Sequence, residues 1–294
     1  VDSWLLDGVN SEGLVGGLLL LEEGTSIPAA EAGSSGVMGM ELVTALLATC
    51  RNVTEVCQAA KDIRITDIPA ETGFLPATMH YFFLDAAGNT AVLEAADPAQ
   101  PGRLTCYRED SIGVMTNSPP YLRQLDNLRW FLSQSPELHH GGDDCPICQP
   151  AWEGVRLAAD PSALHMTQSG LLPASYAPYD RFVRLAVLKA LNHDGQWIDD
   201  AQMLPLGSGL LHSVFEPHSR GVYHYRRLDE HGMPAGCSDG YTQYCVMYAP
   251  EQQTMYLQPF DSTAWTKIAL RSCDTALLQR HPINRSAMAG VVER

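Results

Sequence analysis

No apolar run in this chain reaches the roughly 18 residues that a membrane-spanning helix needs. The longest, Leu14 to Leu21, is interrupted by Gly16 and Gly17. Positive charge is also scarce. Nineteen Lys and Arg stand against 34 Asp and Glu, for a net charge of −15 and a pI near 4.9. Nucleic acid and anionic membrane are therefore not expected as partners, since both need basic patches. Regular cysteine spacing is missing too. Eight cysteines in 294 residues, irregular apart from Cys145-Pro-Ile-Cys148, do not make a disulfide scaffold. A mostly reduced, cytoplasmic setting is the expectation. There is no basic signal-peptide region and no initiator Met. Val1 opens almost directly onto what reads as a strand, Trp4 to Leu6. A domain rarely begins so abruptly, so the natural start is expected upstream. Neither G-x-x-x-x-G-K-[ST] nor a strand-linked G-x-G-x-x-G occurs, which leaves nucleotide binding unsupported. No G-x-S-x-G elbow accompanies Ser208 and His212, so a serine hydrolase is disfavoured.

What is present is apolar enough for a sizeable core, at 45% hydrophobic residues. Asp7-Gly8-Val9-Asn10 reads as a turn before a strand over Leu14 to Leu21. Ala30 to Gly39 reads as a loop and Met40 to Cys50 as a helix. Thr54 is the expected cap of a second helix through Ala60. HYFFLD and TAVLEA, separated by Ala87-Gly88-Asn89, predict a hairpin. Leu104 to Arg108 and Gly113 to Thr116 would complete a four-strand meander. Helices are predicted over Tyr121–Leu132, Asp180–Leu191 and Leu204–Val214. A last hairpin, Tyr241–Tyr248 and Thr254–Phe260, is followed by a strand near Lys267–Leu270. Residues 136–170 have no period and read as an irregular insertion. Blocks of hairpins alternating with helices predict an α+β domain over residues 1–294, with helices layered on sheet.

The most informative stretch is Gly113-Val114-Met115-Thr116-Asn117-Ser118-Pro119-Pro120. A short apolar run ends in polar residues and two prolines, and a helix follows. Asn117 therefore sits where an extended segment stops. Its carboxamide offers two N–H donors and no charge, which suits an oxyanion. The plainer reading is a turn asparagine bonding its own backbone. Arg181 stands at a helix start, where the macrodipole disfavours a cation. That placement calls for a carboxylate or dipolar partner elsewhere, or for an exposed side chain. His139, His140, Cys145 and Cys148 fall within ten residues and could hold zinc. Adjacent histidines suit one tetrahedron poorly, and a plain loop is the favoured reading. No metal and no cofactor is expected.

Four stretches, in order, resemble the choloylglycine hydrolases, the family of bile salt hydrolases and penicillin V acylases. Asp7-Gly8-Val9-Asn10-Ser11-Glu12-Gly13-Leu14 resembles D-G-x-N-E-K-G-L. Gly113 to Pro119 resembles a signature strand, and Asp126-Asn127-Leu128-Arg129 the N-L-R on the helix behind it. Leu172 to Tyr176, with Arg181-Phe182-Val183-Arg184, is similar to L-P-G-D-[YF]-[ST]-x-x-x-R-F-x-R.

The resemblance implies an N-terminal-nucleophile (Ntn) hydrolase, an αββα four-layer sandwich, here without its first strands. It also implies a homo-oligomer, a tetramer. In the family a cysteine freed at the mature N-terminus attacks a linear amide carbonyl, with its own α-amino group as base. A thioester forms, and water cleaves it. Asn117 would supply the side-chain donor of the oxyanion hole and Leu20 the backbone N–H. Arg181 would orient the nucleophile region, and Asn10 would be structural. Leu20 departs from the Asn or Tyr of relatives, so only its backbone role carries over. Ala174-Ser175 replaces Gly-Asp. The nucleophile and its supporting Arg and Asp would lie in roughly 60 residues upstream, so the chain by itself is expected not to turn over. The substrate would be a small-molecule amide with an apolar acyl part. Leu18, Leu75 and Met79 are the expected pocket walls, with ordinary core as the alternative reading. The resemblance leaves bile salt, penicillin V and acyl-homoserine lactone open. It also leaves open a non-catalytic acyl-amide binding protein and a zinc-binding interaction module.

Overall fold

The structure is a computed structural model and describes residues 5–21, 24–28, 36–66, 78–134, 172–191, 200–217, 224–228, 234–239, 241–270 and 291–293. One sheet is antiparallel throughout. It contains β1 (Asp7–Val9), β2 (Val15–Leu20), β5 (Met79–Leu84), β6 (Thr90–Glu94) and β7 (Thr105–Tyr107), in that spatial order. The short strands β3 (Val37–Met38) and β4 (Ile65–Thr66) pair in parallel beside it. A second sheet joins β10 (Tyr244–Ala249), β11 (Thr254–Pro259), β12 (Trp265–Ala269) and β13 (Val291–Glu293). Strands β8 (His224–Leu228) and β9 (Pro234–Asp239) form a separate hairpin. The helices are α1 (Leu42–Thr49), α2 (Val53–Ala59), α3 (Tyr121–Gln134), α4 (Pro178–Leu191) and α5 (Asp200–Ser213).

Side-chain alternation divides the first sheet between two cores. Leu18, Met79, Tyr81 and Phe83 face one way and pack with Leu42 and Leu46 of α1 and Val53 and Val56 of α2. Phe82 and Val92 face the other way, toward Leu125 and Leu128 of α3 and Phe182 and Val183 of α4. The approach on the first face is close. A Cβ on Gly16 would come within 2.6 Å of the Phe83 ring, so β2 needs glycine there.

Several local expectations shift. Among the described residues the first strand is Asp7–Val9. Leu5 and Leu6 of the expected strand fall outside it, while Trp4 lies outside the described residues, and the turn falls on Asn10 to Gly13. Asn10 explains the shift. Its Oδ1 accepts from the N–H groups of Glu12 and Leu14, both at 3.0 Å. Its Nδ2 donates to the carbonyls of Leu47 (2.9 Å) and Cys50 (2.8 Å) at the end of α1. The cap of α2 is Asn52, whose side chain accepts from Glu55 N–H at 2.9 Å, rather than Thr54. Cys57 on α2 and Cys106 on β7 form a disulfide across 49 residues, a pairing that spacing alone could not reveal.

The largest departure is at Ile112 to Thr116. This segment bends at Gly113, whose φ is +70°, and joins no sheet, so the meander stops at β7. Side chains replace the ladder. Ile112 N–H donates 2.9 Å to the Tyr121 hydroxyl. Lys189 Nζ donates to the carbonyls of Ile112 (2.8 Å) and Gly113 (3.4 Å). Gln124 bonds both the N–H (3.4 Å) and the C=O (3.3 Å) of Thr116. Ile112 and Val114 are buried as the apolar pattern implies, but the segment does not form the expected strand. Its backbone hydrogen bonds come instead from helices α3 and α4 and from Ser111, whose Oγ accepts from Gly113 N–H at 3.4 Å. The insertion 136–170, with His139, His140, Cys145 and Cys148, lies outside the described residues.

Candidate active site

Asn117 stands at the end of this side-chain-held segment. Its carboxamide is oriented by a cation. Arg181 Nη2 donates to Asn117 Oδ1 at 3.0 Å. A guanidinium has no acceptor, so the amide oxygen must face it and the NH2 must face away. Facing away, Asn117 Nδ2 donates 3.1 Å to the carbonyl of Leu20, the last residue of β2. The three residues expected at the site, Leu20, Asn117 and Arg181, thus form one hydrogen-bonded chain.

Arg181 has the partners its position called for. It pairs with Glu216 Oε1 at 3.2 Å, with both side chains nearly buried at 14% and 13% exposure. Its Nε donates to the Tyr176 carbonyl at 3.0 Å. The helix start itself is built by Ser175, whose hydroxyl donates to Asp180 at 2.5 Å and accepts from Ala177 N–H at 3.1 Å. Pro178 then occupies the first turn, where its missing N–H costs nothing. Arg184, one turn on, donates to the carbonyl of Ser175 (3.3 Å) and also to that of Pro173. Burial pushes its pKa down.

The backbone of the Asn117 turn is fastened from below by Gln124, a fully buried residue. Its amide donates to the carbonyls of Asn117 (2.5 Å) and Pro119 (2.7 Å). The single Thr116 hydroxyl hydrogen is shared between the Pro178 carbonyl (2.8 Å from Oγ1) and Gln124 Oε1 (3.1 Å), tying α3 to α4.

Leu20 presents its backbone at the same place. Leu21 N–H points to β5, donating 2.9 Å to Thr78, while Leu18 N–H points to the β1 side, donating 2.8 Å to Leu6. Alternation therefore sends the Leu20 N–H toward the β1 side, as it does the carbonyl that meets Asn117.

Beside these residues lies a cavity of about 740 Å³ between the first sheet, α4, α5 and β10. Leu19 and Phe82 line it from the sheet, Arg181, Leu185 and Lys189 from α4, and Leu210 and Leu211 from α5. The wall is mainly apolar, with a few polar groups converging, as small-molecule sites require. Burial pushes the Lys189 ammonium down. On the far wall Tyr244 of β10 donates 2.7 Å to the Asp7 carboxylate, which also accepts from Tyr248 of the same strand. This bridges the two sheets. Cys245 also reaches the cavity, but burial pushes its thiol up to about 11. Its thiolate fraction at neutral pH is then on the order of 10⁻⁴, too low for a working nucleophile. Cys50 is buried and likewise raised by desolvation.

The expected pocket walls fare differently. Leu18 contributes to the cavity wall and also to the α1–α2 core. Met79 lies in that core, on the face opposite Phe82. Leu75 lies outside the described residues. Glu216 and Gln124 were not anticipated. Gln124 sits at helical spacing among the buried residues Tyr121, Leu125 and Leu128, and a polar residue there is the one signal that could have found it. Among the described residues, no cluster of His, Cys, Asp or Glu could hold a metal.

Comparison with known proteins bears on this site. The model of the linear amide C–N hydrolases, choloylglycine hydrolase family, matches residues 2–197. A bile salt hydrolase/transferase of Clostridium perfringens is 28% identical over 148 residues, 49% of this chain and 39% of that protein. A penicillin V acylase of Pectobacterium atrosepticum is 31% identical over 129 residues, 42% of this chain and 33% of that protein. The chain thus aligns with well under half the length of these curated relatives. Among solved structures, a variant of conjugated bile acid hydrolase from Clostridium perfringens superposes with a TM-score of 0.69. It is 20% identical, and the match covers 97% of this chain and 79% of that one. At that identity the likeness is one of fold, the Ntn-hydrolase sandwich.

Proposed function

This chain belongs to the choloylglycine hydrolase family of linear amide C–N hydrolases, and on that premise we propose that it forms the oxyanion-stabilising side of an amide-hydrolase active site. One observation carries the reading: the Asn117 carboxamide, fixed by Arg181, presents its NH2 beside the backbone of Leu20. An NH2 group has two hydrogens. One is engaged by the Leu20 carbonyl, and the second is the donor for the oxyanion. The Leu20 N–H is the other donor. Both are strongest at the tetrahedral stage, when the carbonyl oxygen carries full charge.

The nucleophile is a cysteine thiolate supplied from outside these 294 residues. It attacks the amide carbon. The C–N bond then breaks, the amine leaves with a proton, and a thioester remains. Water adds to the thioester, releasing the carboxylic acid and the thiol. The apolar cavity takes the acyl part of the substrate, of the penicillin V or conjugated bile salt type. Arg181 stays paired with Glu216, so its task is to orient Asn117 rather than to hold a substrate anion.

The test has two stages. The reading frame upstream of Val1 is read for a cysteine that processing would leave at the N-terminus. The protein as encoded is then incubated with penicillin V and with glycine- and taurine-conjugated bile salts, and released amine is quantified. Release from one class, abolished by replacing that cysteine, is the expected result. A frame with no such cysteine, together with saturable binding but no release, would instead make this an acyl-amide binding protein.

A further inference from the structure

Beneath the Asn117 turn lies a pair of ionisable side chains that the reaction above does not use. His80 on β5 and Glu94 on β6 are cross-strand neighbours, and both are fully buried. His80 Nδ1 lies 2.9 Å from Glu94 Oε1. The same oxygen accepts the N–H of Tyr121 at 2.8 Å. Tyr121 is the first residue of α3, so its N–H is among the donors a helix leaves without an internal partner. Glu94 Oε1 supplies the acceptor that this N–H lacks within the helix.

Stability alone does not explain the pair. Removing a carboxylate and an imidazole from water is costly, and well-packed apolar residues of similar volume often serve stability as well or better. This pair is also incompletely satisfied. Among the described residues, His80 Nε2 and Glu94 Oε2 are buried without a partner. Such an arrangement fits a site where geometry matters more than stability.

The geometry leads to Asn117. Only Ser118, Pro119 and Pro120 separate it from Tyr121, and each proline ring restricts φ. One turn further on, Gln124 holds the Asn117 carbonyl. The far end of the lever is β5 paired to β6 in the middle of a five-stranded sheet, a stiff base. A shift of the Tyr121 amide is therefore passed to the carboxamide over a short, constrained connection.

We propose that His80 and Glu94 form a positioning dyad: they fix the first amide of α3 and, through it, the place of the Asn117 donor. Arg181 sets which way the amide faces, and the dyad sets where it stands. The dyad touches no substrate. Its effect on rate rests on Asn117 being an oxyanion donor. A displacement near 1 Å in such a group can cost about a hundredfold in rate.

The test uses the protein as encoded. Glu94→Leu removes the acceptor, whereas Glu94→Gln keeps a carbonyl for the Tyr121 N–H. Glu94→Leu should lower kcat about tenfold to a hundredfold with KM within about threefold, less than the 10²–10³ expected for losing the donor itself. Glu94→Gln should recover most of that loss. A merely structural role would not show this split or this rescue. A second readout needs no turnover. Without substrate, Glu94→Leu should speed hydrogen exchange at the Tyr121 amide and move the Asn117 side-chain amide resonances, and Glu94→Gln should do neither. If the parent protein hydrolyses nothing, the hydrolase reading falls, and the amide signals alone decide the dyad. Unchanged signals, or equal damage from both substitutions, overturn it. If Glu94→Leu fails to fold, His80→Leu replaces it, since that variant keeps the Glu94–Tyr121 bond. A smaller shift in the same direction is then expected, and an unchanged kcat and unchanged amide signals overturn the role of His80.

Discussion

Two apolar, largely buried segments of this molecule are held in different ways. Strand β5, Met79–Leu84, sits between β2 and β6 with its backbone in ladder hydrogen bonds on both sides. Ile112 to Thr116 is also apolar and largely buried, yet it belongs to no sheet. The side chains of Ser111, Tyr121, Lys189 and Gln124 make its hydrogen bonds instead. A ladder holds every residue alike, in the regular pleat of its neighbours. Side chains can hold a backbone that the pleat would not tolerate, one group at a time. The second arrangement is found where the chain must turn sharply and place one amide. That is where Asn117 stands.

This contrast can be broken at either end. The largest effect is expected in the laddered part. Phe83 is fully buried against the α1–α2 core, so Phe83→Ala should cost about 3–5 kcal/mol in a denaturant titration. The activity of the molecules that remain folded should be unchanged. At the other end, Asn117→Ala should lower kcat by about 10²–10³ and leave the unfolding midpoint nearly in place. The opposite pattern, a large stability loss with activity kept, would return Asn117 to an ordinary turn residue. Gln124→Leu lies between the two. It leaves the carbonyls of Thr116, Asn117 and Pro119 without their donor, which should cost about 2–3 kcal/mol of stability and lower kcat as well. A loss in only one of the two would mean that holding the segment and placing Asn117 are separate tasks. The smallest effect is expected for Tyr121→Phe. It removes the hydroxyl that accepts from Ile112 N–H and donates 3.2 Å to the Asp110 carbonyl. The expected cost is about 1 kcal/mol, with the ring packing against Phe182 retained.

Local pattern made much of the fold legible. The hairpin of β5 and β6 was readable because two short apolar runs flank a Gly-Asn turn. Its Asp85 fastens that turn through the Ala87 and Asn89 N–H groups. Helices α3 and α4 were readable from apolar spacing, and their observed spans differ from expectation by only a few residues. The Asp7 region was misread because Asp-Gly and Val-Asn look like a turn. The deciding groups, the carbonyls of Leu47 and Cys50, lie about 40 residues away in sequence. The Cys57–Cys106 bond was hidden for the same reason. At the site, motif order singled out Asn117, Leu20 and Arg181. Glu216, Gln124, His80 and Glu94 carry no motif of their own and matter only through what they touch.

The sequence by itself determined the family, the α+β class, the main helices and hairpins, and the three residues that meet at the candidate site. These follow from periodicity, turn chemistry and short motifs, all of which act over a few neighbouring residues. Only the tertiary structure decided that Ile112 to Thr116 is held by side chains. The same is true of the Arg181–Glu216 pair that fixes the face of the Asn117 amide, and of the buried His80–Glu94 pair beneath the turn. Hydrogen bonds between groups far apart in the chain depend on distance and angle in space, and no local pattern encodes either.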